Sequence, residues 1–197
     1  MHIHEKSTVW EGRFLRTVNI SYADSSGNMR TWEAVERLNC SGIVTIVPVS
    51  GEGDILLVRQ FRPVVGRFVV EFPAGLNDRN ESLLDAARRE LIEETGYTAD
   101  EFIYLAEGPI SSGLSSEVLT VFLARNITPA TDLQKQQYPP DESEDIEIIK
   151  IPLSDIYERL RKFQDLGDFV DLKIYGLAEL AKKALGSGPD PNPITPS

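Results

Sequence analysis

Residues 82–96 commit the chain to a helix with one apolar side and one acidic side, and few folds can house such an element. Ser82 followed by Asp85 resembles a capping box, which would satisfy the first free N–H groups. Leu84, Ala87 and Leu91 keep helical spacing, and Gly96 stands where a left-handed C-terminal cap is expected. Glu90 and Glu94, four residues apart, stack about 40° from each other on a helix, with Glu93 on the adjacent flank. Three carboxylates this close repel one another, and Arg89 supplies only one positive charge. A hard divalent cation would complete the balance, since carboxylates together with phosphate oxygens are what Mg²⁺ accepts. A solvated acidic face paired with Arg88 and Arg89 is the alternative. The glycines at Gly75 and Gly96 favour the cation.

Strand signals surround this helix. Residues 14–22 alternate, Asp24-Ser-Ser-Gly-Asn28 has turn chemistry, and Met29–Arg37 alternates again, which predicts a hairpin. Further strands are expected at Gly42–Val49, Ile55–Arg59, Phe68–Phe72, Glu101–Ala106, Val118–Ala124 and Ile146–Ile151. Two helices close the pattern. Ile156, Leu160 and Phe163 point inward from the first, and Val170, Ile174, Leu177, Ala181 and Leu185 from the second. Strands and helices mix without regular βαβ alternation, so the class is α+β. Gly51 and Gly53 lead into a strand, which removes a dinucleotide fingerprint from consideration. Residues 186–197 hold four prolines and read as a disordered tail.

Composition limits the partners. With 31 acidic and 20 basic residues among 197, the formal charge is −11. Such a surface repels nucleic-acid backbones and anionic membranes. The lone Cys40 excludes an internal disulfide and is expected as a small buried side chain. No signal-peptide pattern or run of membrane-spanning length is present, so a cytoplasmic location is expected.

Gly75, Glu81, Arg89, Glu90, Glu93, Glu94 and Gly96 stand at the spacing Gly-x5-Glu-x7-Arg-Glu-U-x-Glu-Glu-x-Gly-U, where U is apolar. This segment resembles the Nudix box, with Leu91 at the first U and Tyr97 at the usually aliphatic second. At average residue frequencies a chance match arises less than roughly once in 10⁷ starting positions. The resemblance implies an α/β/α sandwich around a mixed sheet, and Mg²⁺- or Mn²⁺-dependent hydrolysis of nucleoside diphosphates linked to another moiety. It implies Glu90, Glu94 and the carbonyl of Ala74 as metal ligands, and Glu93 as a further ligand or a base. Arg89 would orient the glutamates and Glu81 would stabilise the box.

The flanks Thr31-Trp-Glu-Ala-Val-Glu-Arg37, Arg59-Gln-Phe-Arg-Pro63 and Glu71-Phe-Pro-Ala-Gly-Leu76 resemble the ADP-ribose pyrophosphatase branch. That branch implies a homodimer whose N-terminal hairpin, here residues 1–38, is exchanged between subunits beside a hydrolase domain at 39–185. Trp32 would stack on adenine with Phe14 on the other side of the ring. Glu33 would contact the base, Arg37 and Arg62 would bind phosphate, and the Gly113–Glu117 turn, with Glu117, would contact substrate. Arg59 is expected to be surface charge. The acidic run 141–147 would supply a general base, selected as Glu144, with Glu142 and Glu147 a small slip away. The position of Pro109, slightly nearer to Gly96 than the branch pattern, keeps related nucleotide sugars such as GDP-mannose open. A non-catalytic ADP-ribose sensor and a nucleoside triphosphatase are the rival readings.

Overall fold

The computed structural model describes residues 1–141 and 145–186. Its first three strands, β1 (His2–Glu11), β2 (Leu15–Ala23) and β3 (Met29–Arg37), form an antiparallel sheet of their own. The predicted hairpin is β2–β3, with Leu15 opposite Arg37 and Ala23 opposite Met29. Its turn is closed by Asp24, whose Oδ1 accepts from the N–H groups of Ser26 and Asn28, each at 2.9 Å. β1 is an addition to the expected pattern. All ten of its residues are exposed, so burial imposes no period-two signal on it.

The chain continues through β4 (Ile43–Val49), β5 (Asp54–Arg62), β6 (Arg67–Glu71) and β7 (Ala74–Leu76) into α1 (Leu83–Thr95). Then come β8 (Tyr97–Thr98), β9 (Glu101–Pro109), β10 (Val118–Arg125), β11 (Thr128–Pro129) and α2 (Asp132–Gln137). β12 (Ile146–Pro152), α3 (Ile156–Asp165), β13 (Phe169–Val170) and α4 (Lys173–Gly186) complete it. The main sheet runs β13-β6-β5-β4-β10-β9, with β12 on the free side of β5 and β7 on β4. β4 is parallel to β10 and β13 to β6, while the other pairs are antiparallel. The sheet is therefore mixed, as expected.

β4 is apolar on both faces because both are covered. Val44 and Ile46 pack with Leu56, Phe122, Ala87 and Leu91 beneath α1. Val47 and Val49 pack with Leu57, Val121, Ile156, Leu160 and Ile174 beneath α3 and α4. One helix on one face and two on the other make the α/β/α sandwich.

Val170 belongs to no helix; it pairs with Val70 in a parallel strand, and α4 begins three residues later. Asp171 separates the two, its Oδ1 accepting from the Lys173 N–H at 2.9 Å. α2 is capped by a Thr131–Gln134 box but buries no residue, so it lacks an apolar stripe to be read. Cys40 is half-buried, not buried, with its thiol 3.0 Å from the Gly42 carbonyl oxygen. The tail expected at 186–197 lies outside the described residues except for Gly186, which ends α4. Among the described residues no helix is long and apolar enough to cross a membrane.

A split in the main sheet positions the site. β4 meets β5 only at Val49–Ile55, whereas β6 pairs with β5 from Val58 onward. The chain leaving β6 enters this gap, where the Ile46 N–H donates to the Pro73 carbonyl at 2.8 Å. It then pairs with β4 as β7, bringing Ala74 and Gly75 alongside α1.

Candidate active site

Local chemistry builds α1 as its sequence implies. Ser82 Oγ accepts from the Asp85 N–H at 3.1 Å, and its hydroxyl lies 2.7 Å from Asp85 Oδ2. Gly96 takes φ +67°, a left-handed conformation that favours glycine, and its N–H donates to Ile92. Leu91 anchors the apolar side with no exposed surface.

The acidic side is organised by Arg89, which is 3% exposed. Its Nε donates to Glu81 Oε1 at 2.8 Å. One terminal nitrogen serves Glu90 Oε1 at 2.7 Å and Glu93 Oε2 at 2.8 Å, and the other reaches the Leu76 carbonyl at 3.0 Å. Burial alone would lower the guanidinium pKa. The bonds to Glu81 and Glu93 and the nearby charge of Glu90 outweigh burial, so the net shift is upward and Arg89 stays charged. Arg79, from the loop before α1, adds a second cation at 2.9 Å from Glu93.

Gly75 and Ala74 close the arrangement from β7. A Cβ on Gly75 would stand 1.9 Å from the Glu90 carboxyl carbon, so only glycine leaves room for that carboxylate. Glu94 Oε2 accepts from the Ala74 N–H at 3.1 Å. Asn77 was not anticipated, yet it holds the loop. Its side chain bonds the Glu81 carbonyl at 2.7 Å, and its own N–H and C=O bond Gly42 and Ser41. The only sequence signal for this role was a polar residue inside the Gly75–Glu81 spacer.

Glu90 and Glu94 thus flank the Ala74–Gly75 backbone, a set of hard oxygen donors that suits a hard cation. Among the described residues, no three acidic, histidine or cysteine side chains converge closely enough to enclose an ion. Mg²⁺ tolerates this, because it commonly binds through one or two carboxylates with water and substrate phosphate oxygens.

The remaining predicted residues fall into two groups. Arg37 Nε donates to Glu117 Oε1 at 2.8 Å, so two expected substrate contacts are together. Trp32 is half exposed, with its indole N–H on the Gly113 carbonyl at 3.1 Å; Glu33 beside it is exposed. Phe14 is exposed under the Arg13 guanidinium, and its carbonyl bonds the Leu38 N–H, six residues along from Trp32. At about 3.4 Å per residue this places the two backbones of one chain roughly 20 Å apart along the strand.

Arg62 Nε is 2.6 Å from Glu71 Oε2, beside Ala74 at the split. Arg59 is held by Asp168 at 2.7 Å and Glu147 at 3.1 Å and lies over Phe68, so it is half-buried and paired where simple surface charge was expected. Glu147 is accordingly committed to Arg59, while Glu142 and Glu144 lie outside the described residues.

The NUDIX domain family matches residues 42–172. The chain is 33% identical to the ADP-sugar pyrophosphatase of Mus musculus, across 95% of this chain and 89% of that one. It is 30% identical to the ADP-ribose pyrophosphatase of Saccharomyces cerevisiae, across 90% and 80% respectively. Its fold matches the crystal structure of an ADP compounds hydrolase with a TM-score of 0.73 at 22% identity, covering 93% of each chain. Box, fold and relatives converge: the chain belongs to the Nudix family.

Proposed function

We propose that this protein is an Mg²⁺- or Mn²⁺-dependent pyrophosphatase that cuts ADP-ribose into AMP and ribose 5-phosphate. The observation that carries this reading is the Arg89 fork, which holds Glu81, Glu90 and Glu93 against a glycine that leaves room for Glu90. The names of the mouse and yeast relatives support the substrate class. Glu90, Glu94 and the Ala74 carbonyl would hold the cation, with Glu93 a further ligand or a base. When bound, the cation neutralises the pyrophosphate and lowers the pKa of the attacking water.

The protein's own groups supply the rest. Arg89 fixes the direction of the glutamates, and Arg37 and Arg62 supply positive charge for phosphate oxygens. Glu117 holds Arg37 in place. Trp32 offers a flat face for adenine, with Glu33 beside it for the base edge and a Phe14 from a second copy opposite. Glu144 is the candidate base. Exposed Ile3, Val9 and Trp10 on the β1–β3 sheet support a homodimer, and the unpaired thiol of Cys40 is compatible with the cytoplasm.

A broader ADP-sugar substrate range is the second reading, favoured by the name of the mouse relative. Incubation with Mg²⁺ and ADP-ribose, ADP-glucose, GDP-mannose, NADH or nucleoside triphosphates, followed by quantification of the monophosphates, separates these possibilities. AMP from ADP-ribose is expected at the highest efficiency. Tight ADP-ribose binding without turnover would replace the enzyme with a sensor, and preference for triphosphates would move it to another branch.

A further inference from the structure

Both carboxylate oxygens of Glu93 are held by guanidinium groups, and the two differ in how firmly they are placed. Oε2 accepts from Arg89 at 2.8 Å, and Oε1 accepts from Arg79 at 2.9 Å. The Arg89 side chain is 3% exposed and also serves Glu81, Glu90 and the Leu76 carbonyl. Turning it away from Glu93 would break a buried charge cluster. The Arg79 side chain is 54% exposed, and among the described residues its one ion pair is with Glu93.

The loop between Gly75 and Glu81 presents Arg79 at this position. Asn77 clamps the loop, its Nδ2 donating to the Glu81 carbonyl at 2.7 Å and its Oδ1 accepting from the Glu81 N–H at 3.4 Å. Asn80, directly after Arg79, takes φ +58°, a left-handed conformation that asparagine tolerates better than most residues. The backbone around Arg79 is thus closed into a tight turn, while its side chain runs along the surface to Glu93.

A divalent cation on Glu93 would stand close to whichever guanidinium shared its oxygen, and two positive charges at that distance repel. Oε2 cannot be cleared, because Arg89 is locked by its other partners. Oε1 can, because an exposed ion pair holds Arg79 only weakly. We infer that Arg79 is a positioning residue, which holds Glu93 Oε1 as a displaceable counter-ion and yields it to the divalent cation. It thereby sets the cation concentration that the site requires. The inference rests on the pyrophosphatase reading, with Glu93 as a ligand, and deepens it. A residue that only braced the loop would act in the opposite direction, since its loss would loosen the carboxylates and weaken cation binding.

Electron paramagnetic resonance of free Mn²⁺ measures the cation bound by substrate-free wild type, Arg79→Gln, Arg79→Lys and Arg88→Gln. Removing the competing charge should strengthen Mn²⁺ binding by about fivefold in Arg79→Gln, the size expected for one exposed ion pair. Arg79→Lys keeps the charge and should stay within about twofold of wild type. Arg88→Gln takes a charge from the same helix, but from a pair with Asp85, and should also stay within about twofold. The Mg²⁺ concentration for half-maximal AMP release should fall in parallel for Arg79→Gln. Unchanged or weaker Mn²⁺ binding in Arg79→Gln, or an equal gain in Arg88→Gln, would overturn this role while leaving the pyrophosphatase reading intact. Wild-type protein that neither binds Mn²⁺ nor releases AMP would remove both.

Discussion

Replacing Arg89 with methionine would leave Glu81, Glu90 and Glu93 facing one another around a buried apolar stub. Removing one partner from a buried ionic cluster costs about 3–5 kcal/mol, and urea denaturation of Arg89→Met should show a loss of that size. Lysine would keep the charge but not the fork, so Arg89→Lys should fall between wild type and Arg89→Met. Gly75→Ala probes the opposite wall of the site. Its Cβ would overlap the Glu90 carboxylate, which must turn away. Turnover should fall by more than about tenfold, while thermal melts record only the roughly 1–3 kcal/mol typical of overpacking. The seven box residues were legible because their types and spacing are fixed by this one cluster. The Asn77 and Arg79 contacts were not, since either residue would read as an ordinary loop polar group until the loop's path is known.

At the scale of elements, the N-terminal sheet depends on a half-hidden charge cluster. Glu36 of β3 is 7% exposed and bonds Lys6 of β1 and Arg16 of β2. The Lys6 hydrogen bond is the main cause that holds the Glu36 carboxyl below its ordinary value of 4.5; burial opposes it and Arg16 reinforces it. A lowered folded-state pKa stabilises the sheet above the ordinary value, and that stability is lost as pH falls through the folded pKa. Protection of the β1 and β2 amides, taken relative to intrinsic exchange at each pH, should therefore be high at neutral pH and fall below about 4.5, and Glu36→Gln should flatten this dependence. Elements with covered faces were readable: α1 keeps its apolar helical spacing, and β4 is a continuous apolar run because both its faces are covered. β1 and α2 bury no residue, and β13 is two residues long, too short to carry a period. Val170 was drawn into the helix because its spacing from Ile174 imitates a helical stripe, although Asp171 ends the strand between them.

Over the whole molecule, the formal charge of −11 acquires partial addresses. Glu81, Glu90, Glu93 and Glu94 lie on the box, and five acids lie between Asp141 and Glu147. Bound divalent cations would reverse much of that local sign, allowing an acidic protein to take an anionic pyrophosphate. With the backbones of Phe14 and Trp32 roughly 20 Å apart along one chain, the proposed aromatic sandwich takes its Phe14 from a second copy. Sedimentation equilibrium should accordingly give twice the 22.0 kDa chain mass, and a fully active monomer would contradict a shared site. Hydrolysis of a nucleoside diphosphate sugar at the Glu90–Glu94 face of α1 should require both the Glu94 carboxylate and a divalent cation. AMP release from ADP-ribose, measured in Mg²⁺ and in excess EDTA for wild type and Glu94→Gln, addresses it most directly. Wild type should be active only with Mg²⁺, and Glu94→Gln should lose at least about a hundredfold with an unchanged melting curve. Near-normal turnover by Glu94→Gln, or AMP release indifferent to EDTA, would contradict the account.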